Sequence, residues 1–373
     1  MKSFQLMPGI IEYKHFMDFA KSLHIGARDL ILTNEYIYNP TIAVLNLGCQ
    51  MCFQEKYGAG EPTDVMVDAI LNDLRHKDYH RIIAVGGGTV IDIAKVLAVA
   101  DRTDTVDTLY DNVESLRKVH PLIIVPTTCG TGSEVTNISI INRTTKGVKV
   151  GLVSPEMFAD EAVLIPELLQ SLPYPVFATS SIDAMVHAVE SYLSPNACAI
   201  SELFSEKALQ LILRGWKQAV ASGTKDGWKQ NALEFLRASN FAGIAFGHAG
   251  CAAVHAMAYP LGGVHHIPHG QANQLMFADV MRKYQEKKPI GKLGQLEDLL
   301  AAELDVEPVF ALETLYRLMD EVLKKDPLRE HGVTEAELPD FARNVIETQQ
   351  RLLGNNYVEL TEDDILSIYR AAF

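Results

Sequence analysis

The stretch RIIAVGGGTVID, residues Arg81–Asp92, decides the fold of this 373-residue chain. Its first five residues have the apolar, β-branched composition of a buried strand, and a helical pattern follows the glycines and continues through Lys95. Glycines at such a junction let backbone N–H groups approach a phosphate closely, and the start of the helix adds a favourable dipole. We therefore expect a phosphate-binding turn, the alternative being a tight strand-to-helix connection that binds nothing.

The rest of the first half alternates apolar runs with helical patterns. Leu30–Thr33 and Leu122–Val125 are further predicted strands, and Pro62–Leu74 has the apolar spacing of a crossover helix. Around Asn142–Gly147 a polar turn between two β-branched runs predicts a hairpin. This order of elements indicates a Rossmann-like α/β domain, built on a parallel sheet with both faces covered.

After Ser171–Pro175 the strand-like runs nearly vanish, so we place a domain boundary there. Residues 1–175 are the predicted nucleotide-binding α/β domain, and residues 176–373 are a predicted all-helical domain. The helical periodicities of the second domain are Asp183–Tyr192, Glu202–Val220, Leu233–His255 and Val309–Lys325.

Composition narrows the classes of partner. With 33 Lys and Arg against 47 Asp and Glu, the formal charge is −14, which disfavours a nucleic-acid partner. The segment Phe241–Gly263 lacks formal charge, but two histidines and the Pro260–Gly263 break favour a buried helix over a membrane span. An odd number of cysteines, five, and an amino terminus without a signal-like apolar run favour a cytoplasmic setting.

A second glycine-rich loop, PTTCGTGSE, spans Pro126–Glu134 and follows the strand Leu122–Val125. Ligands of doubly wound sheets bind at the carboxyl ends of the strands. The hydroxyls of this loop are therefore candidate donors to a phosphate, a ribose or an amide, unless they only cap a helix. They belong to Thr127, Thr128, Thr131 and Ser133.

A candidate metal site begins with Asp183 and His187, which are four residues apart and so share one face of a helix. His255 and His269 are further candidate ligands. One carboxylate with three imidazoles suits Fe²⁺ or Zn²⁺. Three other histidines compete for these roles, and spacing alone does not choose among them; they are His248, His265 and His266.

Several motifs together resemble the iron-containing alcohol dehydrogenase family over nearly the whole chain. They are GGGTVID, PTTCGTGSEVT, SSIDAMVHAVE, VHAMAYPLGG followed by PHG, LLGNNY and LTEDDILSIYRAAF. The resemblance implies a dehydroquinate synthase-like fold, an NAD cofactor and a homodimer or larger homo-oligomer. The metal ligands that it implies are Asp183, His187, His255 and His269. The cofactor contacts that it implies are Gly87, Gly88, Thr89, Asp92, Thr127, Thr128, Thr131 and Lys149, with Asn34 where an aspartate often stands.

The resemblance also implies an activity. The segments ILTNEYIYNP and FQEKYGAGEP resemble a subgroup that interconverts 4-hydroxybutyrate and succinate semialdehyde with NAD. In this family a histidine often stands four residues after the third ligand and takes part in a proton relay. This chain has Tyr259 there, so the relay runs through Tyr259, His265 or His266.

Rival functions remain at this point. One rival keeps the same fold and reaction but has a different substrate, a short alcohol or diol such as 1,3-propanediol, lactaldehyde or butanol. A dehydroquinate-synthase-like lyase would hold NAD without net NADH production. A metal-dependent hydrolase leaves both glycine-rich loops unexplained, and a non-catalytic NAD sensor would bind without turnover.

Overall fold

The computed structural model describes residues 4–373, so residues 1–3 of the predicted first domain lie outside the described part of the chain. The described chain divides into two compact units. One unit is Gln5–Leu172, and the other is Phe4 together with Pro173–Phe373.

The unit Gln5–Leu172 contains two sheets. Its strands are β1 (Gly9–Glu12), β2 (Asp29–Thr33), β3 (Gln50–Phe53), β4 (Arg81–Gly86), β5 (Leu122–Pro126), β6 (Ile138–Arg143), β7 (Val148–Val153) and β8 (Glu161–Leu164). Six strands form one sheet in the order β1-β8-β5-β4-β2-β3, and all its neighbours are parallel. The remaining two, β6 and β7, form an antiparallel hairpin. Its helices are α1 (Phe16–Leu23), α2 (Glu35–Ile37), α3 (Asp64–Leu74), α4 (Gly88–Val99) and α5 (Val106–Asp111).

The predicted α/β fold is confirmed, including the three strands, the crossover helix and the hairpin. The crossover helix begins at Asp64 because the Thr63 side chain accepts a hydrogen bond from the N–H of Met66 and so caps it. The strands β1, β3 and β8 were not predicted from the sequence. Each has only four residues, too few to establish a period.

Both faces of the six-stranded sheet are buried, as a parallel sheet requires. Along β4, Ile82 and Ala84 belong to one apolar cluster, together with residues of α3 and α4. The alternate residues Ile83 and Val85 belong to a second cluster, which includes residues of α1. This two-sided burial explains why the strand is almost continuously apolar rather than alternating.

The unit Pro173–Phe373 is helical in its described elements. They are α6 (Tyr174–Leu193), α7 (Ala199–Ala221), α8 (Ala232–Ala249), α9 (Ala253–His265), α10 (His269–Lys287), α11 (Lys292–Leu304), α12 (Pro308–Val322), α13 (Leu338–Thr348), α14 (Gln350–Leu353) and α15 (Glu362–Ala372), joined by turns and short 3₁₀ segments.

Two boundary predictions in this unit are wrong. The helix predicted over Leu233–His255 ends at Ala249, because Gly250 adopts φ +82° and ψ 164°, a conformation outside the helical region. A new helix, α9, then begins at Ala253. The predicted break at Pro260 does not occur either, since this proline lies inside α9, where burial of the neighbouring side chains outweighs the lost backbone hydrogen bond.

Within residues 4–373, no single helix meets the length and hydropathy requirements for crossing a membrane. The segments Gly227–Ala249 and Ala253–His265 meet them only as a pair, and they are bent by 104° at the break between them.

Candidate functional site

The helix α6 carries the first two candidate metal ligands. Asp183 and His187 are both buried on it and face the same way because they are four residues apart. The Nε2 atom of His187 lies 3.9 Å from Oδ1 of Asp183. Burial would raise the pKa of Asp183, but the imidazoles of His187 and His269 and a hydrogen bond with His255 hold it well below its ordinary range.

Two further helices bring imidazoles to the same carboxylate oxygen. His255 lies on α9 and His269 is the first residue of α10, and the Nε2 atom of each is 3.5 Å from Oδ1 of Asp183. The ligand atoms of Asp183, His255 and His269 all lie within 4.8 Å of one another. With His187, whose Nε2 is 3.9 Å from Oδ1 of Asp183, three imidazole nitrogens surround one carboxylate oxygen. These are the four residues that the family resemblance implied as ligands.

The competing histidines take other positions. The ring of His248 packs against Phe4, with centroids 5.2 Å apart. The Nε2 atom of His265 lies 3.0 Å from a carboxylate oxygen of Glu337. His266 ends α9 in the left-handed conformation, φ +54°, and is exposed. None of these three shares the cluster around Asp183 in the described chain.

The donor set and its spacing fit a divalent ion. Ligands of a tetrahedral site with bonds of about 2.0–2.1 Å are roughly 3.3–3.4 Å apart. The observed separations of 3.5, 3.5 and 3.9 Å are close to this value. The set of one oxygen and three nitrogens suits Fe²⁺ and Zn²⁺ alike.

Asn273, one helical turn after His269 on α10, lies among the same ligand atoms. Its Nδ2 donates to Oδ1 of Asp183 at 2.8 Å and is 3.3 Å from Nε2 of His255. Its own Oδ1 is buried without a hydrogen-bond partner among residues 4–373. An orphaned amide oxygen this close to the ligands is consistent with a cation at this centre. Sequence reasoning missed Asn273, although its i+4 spacing from His269 was a usable signal.

Glu190 is the second residue that sequence reasoning missed. It is fully buried on α6, and its carboxylate accepts hydrogen bonds from the backbone N–H groups of Ala252 at 2.9 Å and Val254 at 2.6 Å. It also accepts one from Nδ1 of His255 at 2.6 Å. That bond turns Nε2 of His255 towards Asp183. Burial lowers the pKa of His255, but Glu190 and Asp183 outweigh it and raise the value to about 9. The signal in the sequence was spacing, because Glu190 lies seven residues after Asp183 on the same helix face.

The three predicted relay residues are placed differently. Tyr259 is half-buried, and its ring centroid lies 6.2 Å from that of His269. His265 is instead bonded to Glu337, and His266 is exposed at a helix end. Only Tyr259 among the three has a described ring contact with a candidate ligand.

The predicted nucleotide loops meet at one edge of the other unit. β2, β4 and β5 are adjacent and parallel, and Asn34, Gly87 and Thr127 follow or end these strands at their carboxyl ends. The N–H of Thr127 donates to the carbonyl of Gly86 at 3.0 Å, which ties the second loop to the first. This edge is where ligands of doubly wound sheets bind.

The glycines of the first loop lie close to neighbouring side chains, and the closest approach is at Gly86. A Cβ atom on Gly86 would lie 2.5 Å from Cβ of Val90, and one on Gly88 would lie 3.1 Å from Cγ2 of Thr131. Gly87 is similarly close to Thr128, and the Thr89 hydroxyl donates to the carbonyl of Gly60 at 2.9 Å. The helix α4 begins at Gly88, so its first N–H groups have no partner inside the helix and can receive an anion.

Asp92, on α4, is hydrogen-bonded to the second loop and to β6. Its two carboxylate oxygens accept hydrogen bonds from the Ser133 hydroxyl at 2.8 Å and from the N–H of Ile140 at 2.9 Å. Its neighbour Lys95 is fully buried and donates to Ser133, to Thr136 and to the carbonyl of Ile138. Both side chains therefore tie the two glycine-rich loops together. Sequence reasoning did not identify the role of Lys95.

The remaining predicted cofactor residues have polar partners. The side-chain amide of Asn34 donates to Glu55 at 2.9 Å and to Gln54 at 3.1 Å, so a carboxylate lies beside it. The ammonium group of Lys149, on β7, lies 2.7 Å from a carboxylate oxygen of Glu61. These contacts place two acidic side chains next to the predicted nucleotide-binding edge.

Comparisons with known proteins identify the family. Residues 12–166 match the model of iron-containing alcohol dehydrogenases, and residues 177–373 match the carboxyl-terminal model of the Fe-containing alcohol dehydrogenase family. The chain belongs to the iron-containing alcohol dehydrogenase family. It is 46% identical over 374 residues, 100% of both chains, to 4-hydroxybutyrate dehydrogenase of Clostridium kluyveri.

Two solved structures share the fold. A 1,3-propanediol oxidoreductase has a TM-score of 0.85 and 26% identity, with all of both chains covered. A sulfoacetaldehyde reductase from Bifidobacterium kashiwanohense, solved in complex with NAD⁺, has a TM-score of 0.86 and 22% identity, and the match covers 100% of this chain and 98% of that one.

The motif LLGNNY of this iron-containing alcohol dehydrogenase has a structural basis. Asn355 donates from Nδ2 to the carbonyl of Cys251 at 2.9 Å and accepts from Asn196 at 2.8 Å. A Cβ on Gly250 would lie 2.2 Å from Nδ2 of Asn355, so only glycine fits there. The carboxyl-terminal motif therefore holds the turn that precedes α9, the helix of the candidate ligand His255.

Proposed function

We propose that this chain is a metal-dependent NAD oxidoreductase that interconverts 4-hydroxybutyrate and succinate semialdehyde. The observation that carries the proposal is the convergence of three imidazole Nε2 atoms within 3.9 Å of Oδ1 of Asp183. The substrate rests on the 46% identity to 4-hydroxybutyrate dehydrogenase, which extends over the full length of both chains.

The residues proposed to hold the ion are Asp183, His187, His255 and His269. Fe²⁺ is the ion that the family name implies, and Zn²⁺ suits the same donors. A divalent ion at this centre supplies Lewis acidity, which lowers the pKa of an alcohol or polarises an aldehyde. Glu190 keeps Nε2 of His255 directed at the ion by accepting the hydrogen bond from Nδ1.

The residues proposed to hold NAD lie at the carboxyl edge of the parallel sheet. The first N–H groups of α4, after Gly87, face the point where a pyrophosphate would be bound. The hydroxyls of Thr127, Thr128 and Thr131 lie on the adjoining loop. The nicotinamide supplies the acceptor for the hydride. A structural neighbour with this fold was solved with NAD⁺, which supports the assignment of the cofactor.

The preference for NAD over NADP is proposed to come from Glu55. Asn34 carries no charge, but its amide holds the Glu55 carboxylate at 2.9 Å, beside the end of β2. An acidic side chain near the end of the second strand of a dinucleotide-binding sheet receives the ribose hydroxyls and repels a 2′-phosphate. Glu55 would then provide the charge that an aspartate provides in relatives.

The experiment that tests the function is spectrophotometric. Protein reconstituted with Fe²⁺ and NAD⁺ should produce NADH from 4-hydroxybutyrate, and chelation of the ion should abolish this turnover. A clear excess of kcat/KM for 4-hydroxybutyrate over butan-1-ol and 1,3-propanediol would support the substrate. A preference for either uncarboxylated alcohol would overturn it, and NADH production that survives metal removal would overturn the metal dependence.

A further inference from the structure

Cys251 lies next to the candidate metal centre, in the turn between α8 and α9. Its thiol is buried, 9% exposed as a residue. The Cys251 Sγ atom and one ring nitrogen each of His187 and His255 all lie within 4.8 Å of one another. The rings of these two histidines are stacked, with centroids 4.5 Å apart and planes 20° apart. Two imidazoles and a thiol are thus presented to one small volume.

The turn that presents the thiol is held on both sides. Asn355 donates to the carbonyl of Cys251, and Glu190 accepts from the N–H of Ala252. Gly250, directly before the cysteine, has a positive φ and no space for a side chain. These contacts fix the backbone of the turn, and with it the position from which the Cys251 side chain reaches the histidines.

Two sets of donors consequently lie side by side, with His255 in both and His187 among the residues assigned to the first ion. The first set, Asp183, His255 and His269, offers one oxygen and two nitrogens within 4.8 Å of one another. The second set, His187, Cys251 and His255, offers one sulfur and two nitrogens within the same distance. Thiolate selects softer ions such as Zn²⁺ and Cd²⁺, whereas carboxylate and imidazole also suit Fe²⁺.

We propose that His187, Cys251 and His255 form a second, thiophilic metal site that takes Zn²⁺ or Cd²⁺ in competition with the ion of the carboxylate set. The proposal rests on the function proposed above, because the competing ion is the one assigned to Asp183. Binding to the thiol forms a metal–sulfur bond and releases the thiol proton to solvent, with no change of oxidation state. Since His255 serves both sets, one ion excludes the other.

The consequence is a built-in sensitivity to thiophilic ions. An ion held through Cys251 takes His187 and His255 from the four residues assigned to Fe²⁺, which leaves Asp183 and His269 with too few partners to retain it. Zn²⁺ and Cd²⁺ should therefore displace Fe²⁺ more effectively than an oxygen–nitrogen site alone would allow.

The test uses Co²⁺ and Cd²⁺ as spectroscopic probes of the full-length protein. A thiolate ligand gives a near-ultraviolet charge-transfer band, which should be present in the wild type and lost in Cys251→Ser and Cys251→Ala. The band should persist in Cys129→Ser, a matched change of another buried cysteine in the other unit.

Competition titrations give the second readout. The Cys251→Ser change should weaken Zn²⁺ binding by at least the roughly 10- to 100-fold seen when an outer partner of a ligand is lost. The same change should alter Fe²⁺ binding by far less, because the carboxylate set is intact. Circular dichroism would verify that each variant is folded.

Two results would overturn the proposal. One is a wild type that holds Cd²⁺ by metal analysis but whose near-ultraviolet spectrum lacks the sulfur band. The other is a sulfur band that survives in both Cys251 variants. Neither result touches the proposed dehydrogenase function, which is tested separately by NADH production from 4-hydroxybutyrate in the Fe²⁺-loaded wild type.

Discussion

The Nδ1 atom of His255 donates to Oε2 of Glu190 at 2.6 Å, and both side chains are almost completely buried. The same carboxylate accepts the N–H groups of Ala252 and Val254 at the start of α9. One glutamate on α6 therefore fixes both the start of α9 and the orientation of the His255 imidazole on that helix.

Replacement of this glutamate should weaken metal binding. In Glu190→Gln the amide presents an N–H to at least one of the three donors, so either the bond to His255 is lost or the N–H of Val254 faces an N–H. We expect the affinity for Fe²⁺ or Co²⁺ to fall by roughly 10- to 100-fold, measured by competition with a chelator. The matched control is Glu303→Gln, which changes a carboxylate that pairs with Arg214. Equal affinities of the two variants would show that Glu190 has no role in positioning.

Tyr259 should contribute to proton transfer. It is the relay candidate with a ring beside His269, whereas His265 is bonded to Glu337. We expect Tyr259→Phe to lower kcat by roughly 100-fold, the lower end of the range for general acid–base catalysis. His265→Gln should lower it much less. The reverse ranking in steady-state assays would assign the relay to His265.

Lys95 should hold the nucleotide loops in position. Its ammonium group donates to Ser133, Thr136 and the carbonyl of Ile138, and burial lowers its pKa to about 8. In Lys95→Met these acceptors lose their donor and Asp92 loses its counter-charge, so we expect a loss of about 3 kcal/mol of stability. The Kd for NADH should also rise, as followed by nicotinamide fluorescence. Lys118→Met, at a lysine paired with Asp160 in the same unit, should leave the Kd unchanged.

Glu55 should set the choice between NAD and NADP. Removal of its charge in Glu55→Gln relieves repulsion of a 2′-phosphate, and about 1.4 kcal/mol of relief corresponds to tenfold in affinity. We expect the ratio of the Kd values for NADPH and NADH to fall by about that factor, measured by fluorescence titration. Glu114→Gln, at an exposed site, controls for the change in net charge. An unchanged ratio in Glu55→Gln would refute this assignment.

Asp64 should give the α/β unit a defined acid dependence. Burial would raise its pKa, but hydrogen bonds from the hydroxyls and N–H groups of Thr144 and Thr145 hold it well below the ordinary value of 3.8. A lowered pKa means that the folded state binds fewer protons than the unfolded state. The stabilisation is therefore complete above that ordinary value and is lost as the pH falls through the folded pKa.

The stability of Asp64→Asn relative to the wild type tests this predicted loss of stabilisation at low pH. At pH 7 the free energy of unfolding of the variant should be lower by about 2 kcal/mol, the contribution typical of hydrogen bonds to a charged group. Below pH 3.8, the ordinary pKa of the carboxyl, the difference should shrink, because the unfolded wild type binds a proton that the folded wild type does not. Urea midpoints across this range measure it, with the exposed Asp111→Asn as control. A difference that stays constant down to pH 2 would contradict the argument.

Local features of this chain were determined by sequence alone. The strand before Gly86, the glycine turn and the shared face of Asp183 and His187 depend on residues a few positions apart, whose geometry the helical and strand periods dictate. The start of α3 is also a local feature. The helix begins at Asp64, two residues after the predicted Pro62, because Thr63 caps it.

The choice among the histidines was decided by tertiary structure. His255, His265, His266 and His269 lie within fifteen positions, and only the packing of α9 and α10 against α6 brings two of them to Asp183. The role of Glu190, the hydrogen bonds of Asp92 with Ser133 and Ile140, and the placement of Cys251 beside two imidazoles likewise depend on contacts between residues far apart in the chain. Such contacts arise from how helices and strands pack, and no short-range period encodes them.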